Sequence, residues 1–301
     1  MNKFKYYFIL LITTISLFSC SKNDVPAVEP LRDYAEQYTT DNTTIEEYLK
    51  TYYITVVDHP GFSDDQDVTF TKIPDGGTQK SIWDQTDYEL KTRVVNLNDV
   101  NYNLYYLVLR EGTGSSPSNV DGVLSSYRGD YLDQITASNV TTLTKTKFEE
   151  VKYPQQIISL YSTIVGWSEI FPHFKTGSYS TNDDGTISYQ DFGAGIMFIP
   201  SGLAYYASGS GVVPAYVPLV FSFKLYELQR LDQDADGIPS YIEDINGDGY
   251  VRSLATGIVN PDDSDGDGIP NFLDVDDDAD GYSTKSEIAA GTNYLDKNSH
   301  P

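Results

Sequence analysis

Four stretches near the C-terminus set oxygen-bearing side chains at every second position ahead of a glycine, a spacing that wraps ligands around a hard cation. Asp232, Asp234 and Asp236 precede Gly237; Asp263, Asp265 and Asp267 precede Gly268; Asp276, Asp278 and Asp280 precede Gly281; Asp244, Asn246 and Asp248 precede Gly249. A calcium loop takes oxygens from positions 1, 3, 5 and 12 and a carbonyl from position 7, and it turns sharply at a glycine in position 6. Glu243, Asp274 and Glu287 fall at position 12 of three stretches, and the carbonyls of Ile238, Ile269 and Tyr282 fall at position 7. The stretch from Asp244 is a partial copy with Ala255 at position 12. The expected ligand is calcium, in a structural role.

Between Asp232 and Glu287, 16 acids face only Arg252 and Lys285, so this segment carries −14 of the formal charge of −24. Like charge at that density, with few apolar neighbours, predicts disorder without metal and a compact rod with it. Residues 231–301 therefore read as a module of their own. Helices of EF-hand type are not expected, because Pro239 and Pro270 stand where one would begin. The acidity also argues against nucleic acid or anionic lipid as partners.

A second stretch, residues 195–228, points to a hydrophobic groove. Met197 to Ile199 is an apolar run ended by Pro200, Ser201 to Val217 is a Gly/Ser/Pro loop carrying tyrosines and valines, and Leu219 to Leu228 alternates like a strand. Such a loop is too apolar to lie free on a surface, so it packs inward or binds something. His59, His173 and His300 draw no metal or triad constellation, and the single cysteine, Cys20, excludes a disulfide or thiolate site within one chain. No catalytic cofactor is expected.

Stepping along the chain, Met1 to Ser19 has lysines at 3 and 5 and a short apolar core, the pattern of a signal peptide. Residues 20–30 read as a polar tether and 31–66 as a lead-in. Two short helices are expected there, broken at Thr39 to Thr44, the second capped by Asp41 or Thr43, and packed on the sheet that follows. Strands are expected at Val68 to Lys72, Tyr88 to Val95, Tyr102 to Leu109 and Gly122 to Tyr127, with a hairpin turn at Asn182 to Gly185. Trp167, Ile170, Phe171 and Phe174 give one helix over Gly166 to Lys175, with Ser168 as its cap and Pro172 in or just past the first turn. The fold class is α+β, an antiparallel sheet curled around one short helix and followed by the calcium-loop tail, with the sheet domain at residues 67–230.

Val123-x3-Tyr127-x-Gly129, Lys147-Phe148-Glu149, Ile164-Val165-Gly166-Trp167, Lys175-Thr176-Gly177, Ile199-Pro200-Ser201-x2-Ala204-Tyr205 and Pro218-Leu219-Val220-Phe221 stand in the order and rough spacing of the FKBP-type peptidyl-prolyl isomerases. The resemblance spans about residues 100–228. It implies a five- or six-stranded sheet over the helix bearing Trp167. It further implies a pocket with Trp167 as floor and Tyr127, Phe148, Ile164, Tyr205, Val213 and Phe221 as sides, in which the Ile164 N–H and the Tyr205 hydroxyl hold carbonyls of a proline-containing polypeptide. The sequence departs from the family at Glu149, where an aspartate is usual, and at Tyr206, where a glycine is usual. Glu149 is expected to displace any hydrogen bond to Tyr127, and Tyr206 to place a ring on the lip that decides between turnover and mere binding. The stretch Leu17-Phe18-Ser19-Cys20 resembles a bacterial lipobox, which implies lipidation of Cys20 and anchoring in the bilayer of a bacterial envelope, expected as the outer membrane. The acidic loops resemble thrombospondin type 3 repeats without their cysteines. The sequence leaves the oligomeric state open.

Overall fold

Asp33 caps the first helix, its side chain accepting from the N–H groups of Ala35 and Glu36, and the helix then runs unbroken as α1, Tyr34–Thr51. The computed structural model describes residues 30–254 and 257–301. The leader with Cys20 lies outside the described residues. The expected break at Thr39 to Thr44 does not occur. Thr39, Thr40, Thr43 and Thr44 each turn the hydroxyl back onto the carbonyl four residues earlier, and burial of Asp41, Thr44 and Ile45 holds the segment in the helix.

The strands are β1 (Tyr52–Val56), β2 (Val68–Lys72), β3 (Leu90–Leu97), β4 (Val100–Arg110), β5 (Gly122–Ala137), β6 (Val140–Val151), β7 (Ile158–Ser159), β8 (Ser178–Thr181), β9 (Ile187–Gln190), β10 (Gly193–Ile199) and β11 (Leu219–Gln229). Seven of them form an antiparallel sheet in the order β3-β4-β10-β11-β5-β6, with β7 on β5. β1 pairs with β2, and β8 with β9 across the turn that Asn182 and Gly185 make. The described chain is mostly sheet with few helices. β5 runs ten residues past the expected Tyr127 and forms with β6 a long ribbon of polar residues.

Both faces of the sheet are covered, which is why every residue of β10 is buried. On one face Trp167, Ile170, Phe171 and Phe174 pack on Met197, Ile199, Phe221 and Phe223. On the other, Ile45, Tyr48 and Leu49 of α1 and Phe70 of β2 pack on Leu107, Ile196, Phe198 and Val220. The lead-in is thus the sheet's second layer. The inner helix is shorter than its periodicity suggests: α2 covers Val165–Ile170 and a 3₁₀ turn follows over Phe171–His173. Pro172 explains the change, since it lacks the N–H that a continuing helix would use. Ser168 is not the cap; Ile164 occupies that position, and the Ser168 hydroxyl donates to the Val165 carbonyl.

Asp33–Pro301 forms one compact unit, so the acidic tail is packed on the sheet domain. Asn119 exchanges two hydrogen bonds with the backbone of Val251, 2.6 and 3.0 Å, and Gln233 Nε2 donates to the Val120 carbonyl. Val120, Val251 and Phe272 bury one another. Among the described residues no helix is long and apolar enough to cross a membrane.

Candidate functional site

A cleft of about 460 Å³ opens between α2, the β5 and β11 strands and the loop after β10, lined by Tyr127, Glu149, Ile158, Ile164, Trp167, Ala204, Tyr205 and Phe221 among others. Trp167 is its buried floor. Its indole meets the rings of Tyr127 and Phe221 edge to face, with centroids 4.9 and 5.3 Å away, the arrangement that opposes positive ring edges to negative faces. Gly166 lets α2 approach this close, because a Cβ there would lie 2.6 Å from Ile199.

Phe148 does not line the cleft but braces it. The β5–β6 register pairs Gly129 with Glu149 and Asp130 with Lys147, so Phe148 is the residue left over at a bulge. Its ring stands perpendicular to Phe221 at 5.6 Å and lies over Gly129, where a Cβ would come within 2.5 Å of it. The same bulge brings Glu149 to Tyr127. Burial first, and then the nearby Glu149 carboxylate, push the Tyr127 phenol up to about 12. Glu149 lines the cleft beside Tyr127.

Val213 is buried in the same core but lies off the cleft. Tyr206 does not stand on the lip of the cleft. Its ring stacks on Tyr34 of α1 at 4.3 Å and meets Tyr216 edge on at 5.0 Å, with φ at +45°, and it takes no part in the cleft lining. The loop after β10 packs inward at its two ends, through Ser201, Leu203, Val213 and Val217, and leaves its tip around Val212 exposed; α1 fixes its start. Asp41, buried on α1, accepts from Ser201 N and Oγ at 2.7 and 2.6 Å and from Gln37 Nε2 at 2.7 Å. Asp41 was legible only as a cap. Ile158, Ser162 and Thr163, which also line the cleft, carry no chemical signal in sequence, and Ala204 is marked only by the motif it shares with Tyr205.

The four acidic loops share one backbone conformation. The position-6 glycines Gly237, Gly249, Gly268 and Gly281 have φ from +87 to +108°, and each N–H donates to the position-1 carboxylate of Asp232, Asp244, Asp263 or Asp276 at 2.8 to 3.1 Å. Oxygens of Asp232, Asp234 and Asp236 lie within 4.8 Å of one another, as do those of Asp263, Asp265 and Asp267 and of Asp276, Asp278 and Asp280. Hard oxygen donors at that spacing fit calcium. Asp274 and Glu287 are not in those groups, whereas Glu243 groups with Asp236 and Asp277. Burial raises Glu243 to about 9 and Asp277 to about 8, with neighbouring carboxylates adding to both.

A repeated closure went unread in the sequence. The N–H at position 2 of three loops, Gln233, Ser264 and Asp277, donates to the side chain at position 9, Ser240, Asn271 and Thr284, and all three acceptors are buried. The partial loop ends differently. Its Tyr250 hydroxyl donates to the Glu169 carbonyl at 3.0 Å, and Arg252 pairs with the Glu169 carboxylate at 2.8 Å. Arg93 of β3 pairs with the same carboxylate, so the tail grips the helix that carries Trp167.

Residues 233–299 match a family model described as BamM C-terminal, which differs from the thrombospondin-type resemblance of the loops. No curated protein matches the chain. Among solved structures, the chain is similar to a peptidyl-prolyl cis-trans isomerase from Pseudomonas syringae pv. tomato at 17% identity, over 66% of this chain and 98% of that one, with a TM-score of 0.36. It is similar to FkpA from Escherichia coli at 24% identity, over 42% of this chain and 48% of that one, TM-score 0.31. The N-terminal domain of FKBP42 from Arabidopsis thaliana matches at 18% identity, over 46% of this chain and 92% of that one, TM-score 0.31.

Proposed function

We propose that the sheet domain is a peptidyl-prolyl cis-trans isomerase that assists protein folding. The observation that carries this reading is the cleft itself: an aromatic floor and walls, Trp167, Tyr127 and Phe221, with Ser162, Thr163, Glu149 and Tyr205 among the other lining residues. The Xaa-Pro bond turns over a barrier of ~20 kcal/mol, and its twisted transition state has lost amide resonance and polarity. A dry pocket therefore favours it over the planar, hydrated ground state. Acceleration by ~10³ requires only ~4 kcal/mol of differential binding. No nucleophile is needed.

In this reading the proline ring sits on Trp167 against Phe221. Ile164, extended ahead of α2 (φ −65°, ψ 145°), offers its N–H at the rim, and the Tyr205 hydroxyl offers a second donor. Tyr127, whose phenol burial and then Glu149 keep neutral, lies beside the twisting carbonyl. A protease-coupled assay on a Xaa-Pro-Phe peptide tests it. A silent peptide-binding domain is the second reading, favoured by Glu149 where the resembled family has aspartate; it requires peptide binding without any change in isomerisation rate.

The same proposal places the protein in a bacterial envelope, held to the bilayer by lipid on Cys20, with the acidic loops as structural calcium sites. Labelling with a palmitate analogue, retained by the intact chain and lost in Cys20→Ser, checks the anchor.

A further inference from the structure

Sequence spacing assigns one cation to each loop, but the buried acids of the first loop do not all serve that loop. Oxygens of Asp236, Glu243 and Asp277 lie within 4.8 Å of one another, which is the greatest separation of two oxygens bound at ~2.4 Å to one ion. Asp236 and Glu243 are positions 5 and 12 of the first loop. Asp277 is position 2 of the last, a position that supplies no ligand to its own loop. All three are 1 to 3% exposed. Both carboxylate oxygens of Glu243, both of Asp277 and Oδ2 of Asp236 have no hydrogen-bond partner. Three buried carboxyl groups converge here, and the one hydrogen bond they receive, from the Ile238 N–H to Asp236 Oδ1 at 2.7 Å, leaves the other five oxygens unmet, an arrangement that a cation between them satisfies.

We propose that Asp236, Glu243 and Asp277 hold a calcium ion of their own, which clips the first loop to the last. The inference rests on the reading of the loops as calcium sites and adds an ion that no loop spacing contains. Donor number supports it. Asp236 belongs to both this group and the group of Asp232 and Asp234, so five carboxyl groups adjoin, with more oxygens than the ~6 to 8 that one calcium ion takes. Position also supports it. The Asp277 N–H is fastened to Thr284 Oγ1 at 3.1 Å, and the 3₁₀ turns Ser240–Ile242 and Asn271–Leu273 lie against each other. The bridge therefore joins backbone that is already adjacent, and it closes the tail into a ring of loops instead of a linear rod.

Counting the calcium bound per full chain by native mass spectrometry tests this, with Asp277→Asn as the near-isosteric variant. The variant is expected to hold one ion fewer than the wild type. Asp263→Asn is expected to lose a different ion, and the double variant both. A wild-type count in Asp277→Asn overturns the inference alone, whereas a wild type that binds no calcium overturns the loop reading beneath it. Proteolysis of the tail keeps the test decisive if counts are blurred by weak binding. In chelator, Asp277→Asn is expected to be cut no faster than wild type, because neither holds the ion; in calcium it is expected to be cut faster. The same order in both conditions would contradict a bridging ion.

Discussion

Single residues divide into those whose chemistry was visible in the sequence and those whose surroundings decide it. Trp167, Tyr127, Ile164, Tyr205 and Phe221 were legible together because six short motifs keep their order, and the structure does bring these five to one cleft. Tyr206 was misread because its φ of +45° turns the ring onto α1, and no sequence pattern reports a backbone sign at a non-glycine residue. Tyr205→Phe removes one hydroxyl worth about 1 kcal/mol, so kcat/KM is expected to fall about fivefold with an unchanged melting temperature. His173 is the residue with a pH signature. Burial first, then the charges of Arg93 and Lys91, lower its pKa, and its ring stacks on Tyr106 at 5.1 Å. The unfolded chain then holds the extra proton, so the stability contributed by neutral His173 is complete above pH ~6.5 and is lost as the pH falls through the depressed folded value. The melting temperature of wild type is expected to drop below that pH, and that of His173→Gln to drop less.

At the scale of elements, the strands around the cleft followed from periodicity, while the two faces of the sheet did not. β10 and β11 read as strands because apolar runs ended by turns leave little alternative. The β5–β6 ribbon was missed beyond Tyr127 because Arg128 to Ala137 shows no clean alternation, its outer half being exposed on both sides. The run Thr39 to Thr44 looked like a break because its residues are poor helix formers, yet tertiary burial of Thr44, Ile45 and Asp41 overrides propensity. That override has a functional consequence, since Asp41 pins Ser201 at the start of the loop that carries Tyr205. Asp41→Ala leaves the Ser201 N–H and hydroxyl buried without an acceptor, at a cost of about 2 kcal/mol or more. Denaturant unfolding should show that loss, and KM for peptide is expected to rise more than kcat falls.

On the scale of the whole molecule, the aromatic cleft and the acidic loops share one compact unit. The tail repeats were legible because glycine at position 6 has a single physical reason. Their docking on the sheet was not, because Asn119, Val120 and Glu169 carry no mark of a partner 80 or more residues away. Through Tyr250 and Arg252 the tail holds the far end of α2, so calcium is expected to stiffen the helix under the cleft as well as the loops. Chelation is expected to expose residues 230–301 to protease and to lower the melting temperature, both restored by millimolar calcium and not by magnesium. The central claim is turnover at the cleft. The most direct measurement is the protease-coupled rate of cis-to-trans conversion of a Xaa-Pro-Phe peptide, with wild type and Trp167→Leu compared in calcium. The expected result is a rate that rises in proportion to wild-type enzyme and falls at least tenfold in the variant. A wild-type rate equal to the uncatalysed one, from a folded protein, would contradict the account.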